Sequence, residues 1–291
     1  MRHPRHALAP DRCTTYRPAP HPPRRVLGIW AHPDDEAYLA AGLMDRVVRA
    51  GGSATIVALT DGEGGFDAAD ARSDEQRRVL RRRELRSAMA TIGVTEVHLL
   101  GLPDGGVAST PAHGLVDTLA VLVDQAQPDV ITTFGPDGIT GHDDHVACGR
   151  LATRAWLAAG CPGELWYAAK TIGWLDEWRE LHDRFGMWMT EEPTGVDDTE
   201  VELVVDLDDD ELDRKRTVLR AHGSQTAAVA SAIGEAPYRR WIRQEAFRRP
   251  TAAELAEVAV DAAFDGDRSS AAHRSIGLDG RVPELVGAVT S

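Results

Sequence analysis

Six consecutive residues, Ala31-His32-Pro33-Asp34-Asp35-Glu36, hold one imidazole and three carboxylates. A second cluster, Gly141-His142-Asp143-Asp144-His145, adds two imidazoles and two carboxylates. Imidazole nitrogen and carboxylate oxygen are donors that zinc takes. His32 and Asp35 are three apart, so at the start of a helix both can face one way. His145 can supply a third ligand, which leaves an open position for water, the arrangement of catalytic zinc. Bound zinc lowers the pKa of its water towards ~7 and makes a nucleophile at neutral pH. Asp34 adjoins the ligands and can serve as the base. The developing oxyanion needs a positive group, and His142, one turn from His145, can provide it. Asp144 is then expected to hold His142 in one tautomer and keep it protonated.

Such chemistry requires the two clusters to meet. Val26-Leu27-Gly28-Ile29-Trp30 precedes the first and reads as a buried strand; Val130-Ile131-Thr132-Thr133-Phe134 does the same before the second. Leu39, Leu43 and Val47 then recur at helical spacing. The expected strands are 25–31, 54–59, 97–100, 129–134, 164–168 and 201–206. The expected helices are 36–50, 74–92, 114–125, 144–159, 209–221 and 238–248. Alternation of the first four strands with helices is the βαβ signature of a parallel sheet. Both clusters therefore fall at the carboxyl ends of strands, where open α/β sheets place their sites. The loops 60–65 and 101–106 also follow strands and belong on the same rim. Alone, His-Pro-Asp-Asp would read as a helix cap, and His-x-x-His as a solvated loop. Their pairing at two strand ends favours a metal-dependent enzyme.

The chain of 291 residues is long enough to bury a large core. Its net charge of −14 repels phosphate backbones, and the basic run 77–86 reads as a solvated helix face, so nucleic acid is not an expected partner. The three cysteines, Cys13, Cys148 and Cys161, include no Cys-x-x-Cys pair. A disulfide framework or thiolate zinc site is not expected, and a reducing cytoplasm fits. No apolar run approaches membrane-spanning length, and residues 1–23 lack the apolar core of a signal peptide. They read as a poorly ordered tail, followed by one domain over 24–250 and a C-terminal helix and tail over 251–291. Five of the seven tryptophans lie between Trp156 and Trp188. They read as a satellite core under a long connection, or alternatively as a lid over substrate.

At this point the motifs are specific enough to name a likeness. Ala-His-Pro-Asp-Asp-Glu followed by Gly-His-Asp-Asp-His resembles the LmbE-like (PIG-L) zinc deacetylase family. Further landmarks resemble it too: the Gly-Glu-x-Gly loop at 62–65, Arg81-x-x-Glu84, the Asp-containing loop 99–106, and His222-Gly223-Ser224-Gln225. The resemblance covers about 25–247. It implies a Rossmann-like α/β fold, with a mostly parallel sheet and helices on both faces. It implies one Zn2+ held by His32, Asp35 and His145, Asp34 as general base, His142 stabilising the oxyanion and Asp144 orienting it. The implied reaction removes an N-acyl group, typically acetyl, from a small amino sugar or glycoconjugate. Arg81 and Asp104 are implied near the substrate's hydroxyls. Two positions depart from the pattern. Asp143 stands where members often carry Pro. Thr140 replaces a Tyr found in some thiol-cofactor deacetylases, which argues against that pathway's enzyme in particular.

Two rival readings use the same residues. His32-x-Asp34 with His145 also makes the two-His-one-carboxylate triad of a non-haem Fe(II) oxygenase. Such oxygenases usually sit on a double-stranded β-helix, so the sheet type discriminates. A non-catalytic sugar-binding relative is the other rival, and the presence of all six catalytic positions speaks against it. A nucleotide-binding Rossmann turn would need Gly-x-Gly-x-x-Gly after the first strand, where this chain has His-Pro-Asp-Asp.

Overall fold

The computed structural model describes residues 23–190 and 192–260. The tail read at 1–23, apart from Pro23, and the stretch beyond 260 lie outside the described residues. The first half alternates as β1 (Arg25–Trp30), α1 (Asp35–Leu39), α2 (Ala41–Arg49), β2 (Ser53–Thr60), α3 (Asp74–Thr91), β3 (Glu96–Leu102), α4 (Ala112–Ala126), β4 (Val130–Phe134) and α5 (Asp143–Ala158). Then come β5 (Glu164–Ala169), α6 (Ile172–Phe185), β6 (Leu203–Asp206), α7 (Asp209–Ala221), α8 (Gly223–Ile233), α9 (Glu235–Trp241) and β7 (Gln244–Arg248).

All seven strands form one sheet in the order β3-β2-β1-β4-β5-β7-β6. β1 to β5 pair in parallel, and β7 runs antiparallel between β5 and β6. Strand order reverses between β1 and β4, which opens a crevice at their carboxyl ends. β1, β4 and β5 are buried along nearly their whole length because helices cover both faces. α2, α3 and α7 pack together on one side, and α4 with α5 on the other, as right-handed crossovers in opposite directions require. Gly149 permits α5 to lie close against β4, since a Cβ there would meet the Phe134 carbonyl oxygen at 2.6 Å. Among the described residues, no helix is long and apolar enough to cross a membrane.

Several expectations need correction. The helix read over 36–50 breaks at Ala40 (φ −145°), because the N–H groups of Gly42 and Leu43 turn to the Glu245 carboxylate at 2.8 and 2.9 Å. The cap of α2 thus comes from β7, some 200 residues away. The helix read over 238–248 is instead α9 followed by β7, whose strand state comes from long-range pairing with β5 and β6. α6 and α8 were absent from the expected elements. The tryptophan-rich stretch builds a satellite core only in part: Trp174, Leu175 and Trp178 cluster apart, joined by Trp188 and Trp241, whereas Trp156 and Trp166 belong to the main core. Cys148 is free and buried.

The Glu245 carboxylate also receives the Lys215 ammonium at 2.7 Å, and both side chains are fully buried. Lys215 donates as well to the Tyr38 carbonyl at 2.8 Å, tying α7 to α1 and β7. Removing one partner of a buried pair leaves an uncompensated charge. Lys215→Met is therefore expected to lower unfolding stability by about 3 kcal/mol, read from urea denaturation. A loss below about 1 kcal/mol, the scale of a surface pair, would show that this contact does not hold the elements together.

Candidate metal centre

β1 ends at Trp30, and the chain turns through Ala31-His32-Pro33-Asp34 into α1. Thr60 at the end of β2 fixes the turn: its N–H and Oγ1 donate to the Ala31 carbonyl at 2.9 and 3.0 Å. Asp34 occupies the N-cap position of α1, yet its side chain makes no capping bond. Its φ is +121°, a region that side chains other than glycine rarely adopt. The cap reading of this motif therefore fails locally. The Asp34 carboxylate instead sits 3.4 Å from Arg81 Nη2.

The second cluster opens α5. His142 is its N-cap, with Nδ1 accepting the Asp144 N–H at 3.0 Å. His145 lies one turn on and stacks on Phe134, the last residue of β4, at 4.2 Å and 12°. The His142 ring stands 4.8 Å from the His32 ring and 5.0 Å from that of His145. The two strand ends thus bring all three imidazoles together.

The hydrogen bonds fix which nitrogens face inward. His32 Nε2 lies 3.1 Å from Asp104 Oδ1 and 3.3 Å from Asp144 Oδ2, so it carries a proton and Nδ1 is left with a lone pair. His145 Nδ1 lies 3.0 Å from the Gly138 carbonyl oxygen, which assigns the proton there and the lone pair to Nε2. These two lone-pair nitrogens face each other at 3.2 Å. Asp35 completes the group, with Oδ1 3.3 Å from His145 Nε2 and Oδ2 3.7 Å from His32 Nδ1. The Asp35 carboxylate is itself oriented by the His32 N–H at 2.8 Å. A tetrahedral ion with bonds of about 2.0–2.1 Å spaces its donors about 3.3–3.4 Å apart. The two nitrogens, 3.2 Å apart, are close to that spacing, and Asp35 sets one oxygen 3.3 and the other 3.7 Å from them.

For the chain alone, a proton serves in place of an ion. Burial opposes charge on His32, but Asp104, Asp144 and Asp35 outweigh it and push its pKa up to about 10. Burial and the His32 charge push His145 down to about 3. The Asp34 and Asp35 carboxyls are both raised by burial, partly offset by Arg81 beside the first and His32 beside the second. Binding of a divalent ion must displace the His32 proton.

A second grouping, His32 with His142 and Asp144, also brings ligand atoms within 4.8 Å. It uses the Nε2 of His32, which is already bonded to two carboxylates, so the first grouping is the better ion site. Asp144 accepts the N–H groups of Gly105 and Val107 at 2.7 and 2.9 Å as well. Its carboxylate bonds His32 and the β3 loop, with the His142 ring close by. His142 Nδ1 accepts the Asp144 N–H, which leaves Nε2 as the ring nitrogen free to donate.

Arg81 is 2% exposed and donates to the Pro33 carbonyl as well as pairing with Asp34, so it supports the turn. Gly62, at φ +68°, makes room for it: a Cβ there would lie 2.8 Å from Arg81 Nη2. Asp104 bonds His32 and accepts the Gly64 N–H at 2.8 Å. The oxygenase triad is not assembled, since Asp35, and not Asp34, joins the two histidines, and the sheet is of the α/β type. Glu36 and His222, to which residue spacing assigned no role, pair at 2.7 Å beneath the turn.

Comparison with known proteins agrees with this architecture. The family profile described as PIG-L, GlcNAc-PI de-N-acetylase, matches residues 27–156. A 1D-myo-inositol 2-acetamido-2-deoxy-alpha-D-glucopyranoside deacetylase of Mycobacterium sp. (strain KMS) is 31% identical over 234 residues, 71% of this chain and 76% of that one. The protein of the same name from Actinosynnema mirum is 30% identical over 248 residues, 74% of this chain and 86% of its own. Among solved structures, N,N'-diacetylchitobiose deacetylase from Pyrococcus horikoshii superposes with a TM-score of 0.55 at 20% identity, over 77% of this chain and 83% of that one. A conserved protein from Thermus thermophilus gives 0.54 at 23% identity, over 78% and 94%. These two share the fold.

The donor geometry leads to a direct expectation. Purified protein equilibrated with zinc and then desalted should hold about one ion per chain, as a single three-ligand site would. His145→Ala should lose it, as read by elemental analysis. Equal metal in both proteins would sink the ligand assignment.

Proposed function

The chain belongs to the PIG-L family, and from that premise we propose that it hydrolyses the N-acetyl group of an amino sugar or glycoconjugate, with zinc as its metal. The observation that carries the reading is the convergence of His32 Nδ1, His145 Nε2 and the Asp35 carboxylate beside an uncapped Asp34. Those three residues would hold a divalent ion, which would supply Lewis acidity and lower the pKa of water towards neutral.

The remaining work falls to the chain. Asp34 takes the proton from the attacking water. Burial raises its carboxyl above the ordinary range, which suits a base that must later return the proton. Arg81 and the strained turn hold the carboxylate in place. As the amide carbonyl becomes tetrahedral, the His142 Nε2–H donates to the oxyanion. Asp34 then passes its proton to the sugar nitrogen, the C–N bond breaks, and acetate and a free amine leave. Asp104 and Asp144 keep His32 in the tautomer that this requires.

An N-acetylglucosaminyl-inositol is one substrate candidate, because the relatives at 30 and 31% identity are named for that compound. Amine release should be measured across N-acetylglucosamine, N-acetylglucosaminyl-inositol, diacetylchitobiose and an N-acetylglucosamine-bearing glycopeptide. Asp34→Asn should keep its metal and lose turnover by about 10²–10⁴-fold, the usual worth of a general base. Retained turnover would remove Asp34 from the base role. Loss of metal instead would make it a ligand.

A further inference from the structure

We propose that Glu36 and His222 form a buried positioning pair that holds Asp34 in its strained turn. The proposal rests on the reading of Asp34 as the base. A non-glycine residue at φ +121° is strained and persists only where its surroundings fix it. Glu36 Oε2 accepts the Asp34 N–H at 3.0 Å, across the strained residue itself. Glu36 lies in the first turn of α1, a position where a carboxylate is ordinarily solvated. Here it is fully buried, and a buried carboxylate needs a partner. That partner is His222 Nε2, at 2.7 Å, from a position 186 residues later in the chain.

His222 is held as firmly as Glu36. It joins α7 to α8 with a non-helical backbone (φ −87°, ψ 42°), and its carbonyl accepts the N–H groups of Gln225 and Thr226. Ser224, two residues on, donates its N–H and Oγ to Glu84 at 2.8 and 2.6 Å. Glu84 lies on α3 one turn from Arg81, which grips the other side of the Asp34 turn. The contacts close a ring: Asp34, Glu36, His222, Ser224, Glu84, α3, Arg81 and back to Asp34. His222 Nδ1 is buried without a hydrogen-bond partner among the described residues. An unsatisfied buried donor or acceptor opposes stability, so a purely stabilising role gives no reason for this imidazole. Aiming the base gives one.

Stability and positioning can be separated experimentally. Replacing both members of a buried polar pair with apolar groups is often neutral for stability, whereas removing one is costly. The double variant Glu36→Leu/His222→Phe is therefore expected to melt near the wild type and to keep its zinc. It should nevertheless lose about ten- to a hundredfold in kcat, with KM nearly unchanged, on the panel substrate that the wild type turns over fastest. Wild-type kcat in this folded, metal-loaded variant would overturn the proposal. If the double variant does not fold, His222→Gln, which can still donate to Glu36, takes its place and should retain most of kcat; a loss as large as that of His222→Phe would overturn the proposal. The same His222 changes are also made in the Asp34→Asn background. A pair that acts through Asp34 has little left to remove there, so the further loss should be small; the same fold-loss in both backgrounds would assign a general structural role and overturn the proposal. Failure of the base reading would show separately, as full kcat in Asp34→Asn alone.

Discussion

Two imidazole nitrogens, His32 Nδ1 and His145 Nε2, are held 3.2 Å apart with lone pairs turned towards each other. That juxtaposition is repulsive unless a cation or a proton lies between them. Everything around the site serves to impose it. Asp104 and Asp144 claim the outer nitrogen of His32, and the Gly138 carbonyl claims that of His145. Neither ring can relieve the repulsion by changing tautomer without breaking bonds in a buried setting, where an unmade bond is expensive.

The sheet explains how such distant residues reach these positions. β1 and β4 are neighbours at the reversal of strand order, so the turn after one and the helix after the other share a crevice. β2 anchors the first turn through Thr60, and the loop after β3 donates two N–H groups to Asp144. Four consecutive parallel strands thus contribute to one centre, each from its carboxyl end. The site is rich in carboxylates, and burial raises two of them. Arg81, His222 and His32 offset that concentration of negative charge.

What was legible in the sequence follows the range of the forces involved. The strands β1, β2 and β4 are local apolar runs, and the helices α3, α5 and α7 carry their own caps at Ser73, His142 and Asp208. Their spacing sufficed to bring the two histidine clusters to one rim. The break at Ala40 was not legible, because the group that ends the helix there is Glu245. β7 was not legible because Gln244 to Arg248 become a strand only by pairing with β5 and β6. In the site, residue types and spacing pointed to His32, Asp35 and His145 as a group. They could not show that the Asp144 carboxylate bonds His32 Nε2, since a side chain at a helix start can point to either neighbour. Glu36 and His222 were hidden for a related reason: a carboxylate at a helix start looks solvated until its partner, 186 positions away, is placed beside it.

The tautomer lock is tested most directly by anomalous diffraction at the zinc edge, from crystals grown with zinc. The expected result is one peak per chain, about 2.0–2.2 Å from His32 Nδ1, His145 Nε2 and an Asp35 carboxylate oxygen. A peak bonded instead to His32 Nε2, with His142 and Asp144 as its companions, would contradict the account.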